Sequence, residues 1–328
     1  MIDLINPLTF KHLDPKDVFG STGLLSNQVR QVLDDFKSIN PPAEYKNVKN
    51  VVVSGMGGSA YGGHVALSLL KDQLSIPLYV NNDYSLPEFV NEDTLVILIS
   101  YSGSTEETLS SADDAKKRGA KISGLTSGGK LGEFLNANST YSYIFDPKNN
   151  PSAQPRLGTG YTVVGTLLLL EKLGLGANFD QINSAVSELD ANSESIKISS
   201  IEISEKIHGS IPVIFTADFL EGNAHIIRNQ FNETSKTFSS FSAVPELNHH
   251  LMEGLLHPET NKKNVCVVFV NSKLYSKRII ERFKITKDVI AKMDNDNWNY
   301  KAPNGESQKN VEERFYGFIE KNILHRHK

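Results

Sequence analysis

Leu95-Val96-Ile97-Leu98-Ile99-Ser100-Tyr101-Ser102-Gly103-Ser104-Thr105-Glu106-Glu107-Thr108 decides the fold. The first five residues are a continuous apolar run, the mark of a strand buried on both faces. The stretch beyond the serines, through Ala115, has the pattern of a helix, and Ser104 and Glu107 stand in capping-box spacing at its start. Four hydroxyls (Ser100, Ser102, Ser104, Thr105) therefore crowd one strand-to-helix turn. Backbone N–H groups at a helix N-terminus favour an anion, and hydroxyls nearby donate further bonds. The turn holds no Lys or Arg, so two readings stand: a phosphate site made of dipoles and hydroxyls, or a Ser-rich turn with a good cap.

Outward from this turn, strand and helix patterns alternate. Val51-Val52-Val53 precedes a turn, Gly55-Met56-Gly57-Gly58-Ser59-Ala60, and a helix running toward Leu70. Further strands are expected at Pro77-Leu78-Tyr79-Val80, Lys121 to Thr126 and Tyr141 to Phe145. Strands separated by helices imply a parallel sheet covered on both faces, which binds ligands beyond its C-terminal strand ends. Both the Gly-rich and the Ser-rich turn fall at such ends. Gly55-x-Gly57-x-x-Ala60 also fits a dinucleotide fingerprint, which requires an acidic residue about 20 positions on. Asn81-Asn82 occupy that place and Asp83 comes late.

Before the first strand, Val29, Val32, Leu33 and Phe36 recur at helical spacing until Pro41-Pro42. After the fifth, Asn149-Asn150-Pro151-Ser152-Ala153-Gln154-Pro155-Arg156 is a polar linker, with Arg156 readable as a solvated cation. Residues 176–207 are expected to be helical and mostly solvated. The second half repeats the alternation: strands at Ile211 to Thr216, Thr237 to Ser240 and Asn264 to Val270, and helices at about Gly222 to Lys236, Lys277 to Met293 and Glu312 to Leu324. The expected organisation is a helical arm over 1–48, a first α/β domain over 49–155, and linking helices with a second α/β domain over 156–328.

Composition sets bounds on the whole. With 328 residues, 39% hydrophobic and 22% charged, the chain suits about two globular domains. A formal net charge of −4 argues against general nucleic-acid or membrane-surface binding. Cys266 is the one cysteine and lies in an apolar run, which rules out a disulfide framework within the chain. The start, Met1-Ile2-Asp3-Leu4-Ile5, lacks a signal-peptide pattern, and the apolar stretch Thr162 to Leu170 is cut off by Glu171-Lys172. A cytoplasmic location is expected.

On the 222–236 helix, Ile226, Gln230 and Glu233 share one face while Ile227 and Phe231 turn to the core. Glu233 then sits at the edge of the apolar stripe, either a partly desolvated base or a boundary residue reaching to water. In Pro245-Glu246-Leu247-Asn248-His249-His250, the paired histidines allow a metal ligand, a helix start or an acid/base group. Few carboxylates stand nearby for a catalytic metal.

Gly57-Gly58-Ser59, Ser100-x-Ser102-x-x-Thr105, Gln154-Pro155-Arg156, Asn232-Glu233 and Glu246-Leu247-Asn248-His249, in that order, resemble the archaeal bifunctional phosphoglucose/phosphomannose isomerases of the phosphoglucose isomerase superfamily. The resemblance covers about residues 45 to 255. It implies two SIS-type three-layer α/β/α sandwich domains with mainly parallel sheets. It also implies interconversion of glucose 6-phosphate and mannose 6-phosphate with fructose 6-phosphate through a cis-enediolate, without metal or cofactor. By match to the family's motifs, Gly58, Ser59, Ser100, Ser102 and Thr105 would bind the phosphate. Glu233 would be the base, His249 would open the ring, and Arg156 would face the enediolate. The family's histidine enters from a neighbouring subunit, so a homodimer with shared sites is implied. The short charged end departs from the family's longer terminal helix, and Lys309 is the nearest match to its lysine. Outside the resemblance, two rivals are a non-catalytic sugar-phosphate-binding protein and an NAD(P)-dependent oxidoreductase.

Overall fold

Five strands build the first sheet: β1 (Asn50–Gly55), β2 (Leu78–Asn81), β3 (Thr94–Ile99), β4 (Lys121–Thr126) and β5 (Tyr141–Ile144). The structure is a computed structural model that describes residues 11–176 and 179–294. All pairings are parallel in the order β2-β1-β3-β4-β5, with Val53 opposite Ile97 and Leu98 opposite Gly124. β3 lies centrally, and every residue in it is buried. This is why it reads as an unbroken apolar run rather than an alternating one. Each of its large side chains contributes roughly 1.5–3 kcal/mol by leaving water.

Helices cover both faces. They are α1 (Leu25–Asp35), α2 (Tyr61–Leu69), α3 (Glu106–Lys117), α4 (Gly129–Ala137) and α5 (Gly165–Lys172). On one face Val52, Val96, Leu98 and Ile122 cluster with Ala112 and Ala115 of α3 and Leu131 and Leu135 of α4. On the other, α2 packs so closely that a Cβ on Gly63 would lie 2.9 Å from Cγ1 of Val53. Phe36, just past α1, meets Tyr143 edge-on at 5.0 Å between ring centres. The helical period expected around Val29 is confirmed, with Val29, Val32 and Phe36 buried. Gln28 fastens α1 by donating to the carbonyls of Leu157 (2.8 Å) and Asn149 (3.0 Å).

The described residues form two compact units that divide between Phe179 and Asp180. In the second, β6 (Ile211–Ala217), β7 (Ser240–Val244) and β8 (Val265–Phe269) make a parallel sheet in the order β7-β6-β8. α6 (Ile182–Ala191) and α7 (Ser193–Ile207) precede it, and α8 (Glu221–Glu233) and α9 (Lys277–Asp294) pack against it. From α8, the Arg228 guanidinium lies 5.4 Å from the centre of the Phe241 ring. From α9, Phe283 meets Phe269 at 6.2 Å. Cys266 is half-buried, and burial pushes its thiol above the usual range.

Two expectations are corrected here. The helix ends at Glu233 rather than Lys236, and the strand runs Ser240–Val244 rather than Thr237 to Ser240. The cause is a turn: the Thr237 N–H bonds the Phe231 carbonyl at 3.0 Å, and the Asn232 side chain bonds both the carbonyl and the N–H of Ser239. Ser239 is thus occupied by a side chain, and the ladder begins one residue later, at Ser240 opposite Val213. The helix expected at Glu312 to Leu324 and the match at Lys309 lie outside the described residues. Among the described residues, no helix is long and apolar enough to cross a membrane.

Candidate active site

In the first sheet the chain passes from β1 to β2 on one side and returns to β3 on the other. The C-terminal ends of β1 and β3 therefore flank a crevice, the place where such sheets bind ligands. The turn Gly57–Ala60 leaves β1 as a single 3-10 turn and runs into α2. The Ser-rich loop leaves β3 and runs into α3. The two are joined directly, because the Tyr101 N–H donates to Oγ of buried Ser59 at 2.9 Å.

Within the loop, hydroxyls pair with each other. Oγ of Ser100 lies 2.8 Å from Oγ1 of Thr105, and Oγ of Ser102 lies 2.9 Å from Oγ of Ser104. The expected capping box is not formed. α3 begins at Glu106 with Thr105 in the cap position and no side-chain cap bond, one residue later than a cap at Ser104 requires, and both candidate hydroxyls pair with neighbours in the loop. The first turn of α3 therefore presents its positive dipole end to the crevice without a side-chain oxygen over it.

The loop's shape is held from behind by the β4–α4 turn. The Ser127 N–H and hydroxyl both donate to the Tyr101 carbonyl, and the Leu131 N–H donates to the Gly103 carbonyl at 2.9 Å. Gly103 has φ of 69°, and a Cβ there would stand 1.8 Å from the Gly128 carbonyl oxygen. Gly103→Ala is thus expected to destabilise the first unit by about 1–3 kcal/mol from backbone strain alone, with more from the overlap. A denaturation midpoint equal to that of the parent chain would show that the loop does not hold this conformation.

The backbone at Arg156 lies against the glycine turn. A Cβ on Gly58 would lie 2.9 Å from both N and Cα of Arg156, so only a glycine lets the two segments touch. The side chain of Arg156 is half-buried and donates from Nη1 to Oε1 of Gln154 at 2.8 Å.

The dinucleotide alternative finds no support. Where a ribose-binding carboxylate belongs, buried Asn81 bonds the Asp83 carbonyl at 3.1 Å and Asn82 bonds the Gly55 carbonyl. Asp83 is exposed and takes its own neighbour's N–H, that of Tyr84.

In the second unit, Glu233 closes α8 and is half-buried, with Ile227 and Phe231 packed on the core as the helical spacing predicts. His249 ends a 3-10 turn, Glu246–His249, and is exposed. His250 lies 3.6 Å from Glu246, and among the described residues no three His, Cys, Asp or Glu side chains gather as a metal site. Asn248 is anchored to α9 through Thr286 at 2.8 Å. Glu233 precedes the first residue of β7 and His249 comes after its last. The turn at 234–239 separates Glu233 from the strand, so the whole of the five-residue strand runs between the two residues in the chain.

The residues that sequence reading passed over are those that brace the loop: Ser127, Gly128, Asn150 and the side chain of Tyr101. They carry no local motif, and only their contacts mark them.

The SIS domain model matches residues 44–141, and the model of the bacterial phospho-glucose isomerase C-terminal SIS domain matches 197–318. The chain is 35% identical over 286 residues to a bifunctional phosphoglucose/phosphomannose isomerase of Caldicellulosiruptor bescii, covering 83% of this chain and 82% of that protein. It is 36% identical over 243 residues to the protein of the same name from Aquifex aeolicus, covering 74% and 73%. Among solved structures, the C-terminal domain of glucosamine-fructose-6-phosphate aminotransferase from Francisella tularensis superposes with a TM-score of 0.62 at 17% identity, over 86% of this chain and 85% of that one, a likeness of fold.

Proposed function

From the premise that the chain belongs to the bifunctional phosphoglucose/phosphomannose isomerases and is a sugar-phosphate isomerase, we propose how its residues divide the work. Gly58, Ser59, Ser100, Ser102 and Thr105 hold the 6-phosphate of a glucose or mannose phosphate. The observation that carries this is the meeting of three segments: the glycine turn, the Ser-rich loop and the backbone at Arg156. Peptide and hydroxyl dipoles hold the phosphate, which leaves Arg156 for charge that develops during reaction.

Ring opening moves a proton from the C1 hydroxyl and delivers one to the ring oxygen as the C1–O bond breaks, the task assigned to His249. Glu233 then takes the proton from C2 and returns one to C1, while a proton passes from O2 to O1. The intermediate is a cis-enediolate whose negative oxygen faces Arg156. It is planar, so reprotonation of C2 on either face yields either epimer, which is how one site serves both aldoses.

The ring oxygen and C2 are both bonded to C1, so His249 and Glu233 must act on atoms two bonds apart. Their positions before and after β7 favour a homodimer in which His249 of one chain completes the site holding the other chain's Glu233.

Assay of both aldose phosphates for formation of fructose 6-phosphate tests the assignment. Ser102→Ala and Thr105→Ala are each expected to weaken substrate binding by about 1.5–3 kcal/mol, the scale of hydrogen bonds to a charged group. Unphosphorylated glucose or mannose should bind far worse than its phosphate. Equal affinity for the free sugar would remove the phosphate site, and binding without turnover would favour a sensor of sugar phosphates.

A further inference from the structure

Tyr101 stands between two residues assigned to the phosphate, Ser100 and Ser102, yet it is buried, 3% exposed. A Cβ on Gly158 would fall 2.2 Å from its ring, and Phe145 lies 5.5 Å from it, so the ring has one seat. Its hydroxyl accepts a hydrogen bond from Nδ2 of Asn150 at 2.8 Å. The same carboxamide donates to the Gln154 carbonyl at 2.9 Å, and its Oδ1 accepts from the Ser152 hydroxyl at 2.8 Å. Asn150 is itself buried, so its donors and acceptor are all met within the protein. One step on, Oε1 of Gln154 accepts from Nη1 of Arg156 at 2.8 Å.

We propose that Tyr101, acting through Asn150 and Gln154, is a positioning residue that sets the Arg156 guanidinium against the phosphate loop. This rests on the assignment of Arg156 to the enediolate. The Asn150 carboxamide joins the Tyr101 hydroxyl to the Gln154 backbone carbonyl, and the side chain of that same Gln154 accepts from Arg156; Tyr101, itself part of the loop, is fixed at three points: its N–H on Ser59, its carbonyl on Ser127 and its ring against Gly158. Arginine has many rotamers, and an acceptor held by the loop selects one before substrate arrives. A neutral carboxamide does so without neutralising the charge, as a carboxylate would. Preorganised charge stabilises a transition state because nothing need reorient during the reaction, and small misplacements of such groups are costly.

The test uses the full-length enzyme with glucose 6-phosphate. Tyr101→Phe keeps the ring and deletes the hydroxyl; Gln154→Met keeps the shape and deletes the acceptor. Each is expected to lower kcat about tenfold with KM changed by less than about twofold, the scale of one hydrogen bond lost in the transition state. Because both variants break one relay, the double variant should also lose only about tenfold, whereas independent effects would multiply to about a hundredfold. Unchanged kcat in both variants, a rise in KM alone, or multiplying losses overturns the relay. Arg156→Ala separates the two levels. If it abolishes turnover while Tyr101→Phe and Gln154→Met behave as the parent, the relay fails and the site assignment stands. If Arg156→Ala turns over normally, both fail.

Discussion

Glu233→Gln is expected to lower turnover by roughly 10²–10⁴, the range for loss of a positioned general base. The amide keeps the shape and the half-buried seat of the carboxylate but cannot accept the C2 proton. Little of the fold depends on that carboxylate. The end of α8 is held by the Asn232 side chain on Ser239 and by the Thr237 N–H on the Phe231 carbonyl, and Lys236 bonds the backbone oxygen of Glu233 rather than its side chain. The loss should thus fall on kcat, while a phosphorylated sugar-acid inhibitor binds nearly as before, since the loop proposed to hold the phosphate belongs to the other unit. Turnover close to that of the parent would remove Glu233 as the base. Loss of inhibitor binding together with turnover would show that the residue holds substrate instead.

Mixing two inactive homodimers, Glu233→Gln and His249→Ala, under conditions that let subunits exchange is expected to restore about a quarter of parental activity. In a mixed dimer one site collects both lesions. The other takes intact Glu233 from the histidine variant and intact His249 from the glutamate variant. Random pairing makes about half the dimers mixed, each with one good site of two, which yields about a quarter. His249 is exposed on its turn, whereas its neighbour Asn248 is anchored to Thr286, so the histidine is presented outward on a braced segment. If His249 and Glu233 served the same site within one chain, every site would carry a lesion and nothing would recover. Absence of recovery with exchange demonstrated would reject the shared site and leave the isomerase standing.

The run Leu95–Ile99 announced a central parallel strand because it is buried on both faces, and β4 keeps the expected bounds to the residue. α8 was legible for a related reason: Ile227 and Phe231 repeat at the helical period and do pack on the core. The start of β7 was not legible. Thr237 and Phe238 have strand-forming side chains, but Asn232 and the close of α8 claim the backbone there, and that competition is decided by contact rather than propensity. The capping box failed likewise: α3 starts at Glu106, with Thr105 rather than Ser104 in the cap position, so the spacing read from the sequence no longer applies.

By itself, then, the sequence determined the strand–helix alternation, the parallel sheets, the glycine and hydroxyl turns at strand ends, and the ordered motifs of the family. Periodicity and turn chemistry act between residues near in the chain, so they can be read along it. Tertiary structure alone decided that the Arg156 backbone lies against Gly58, that Tyr101 shares the Asn150 carboxamide with the Gln154 carbonyl, and that Glu233 and His249 lie before and after β7. The first two are relations between segments far apart in sequence, brought about by the order in which strands join a sheet, and strand order leaves no local trace in the residues that depend on it. The third needed the bounds of β7, which contact with α8 had moved.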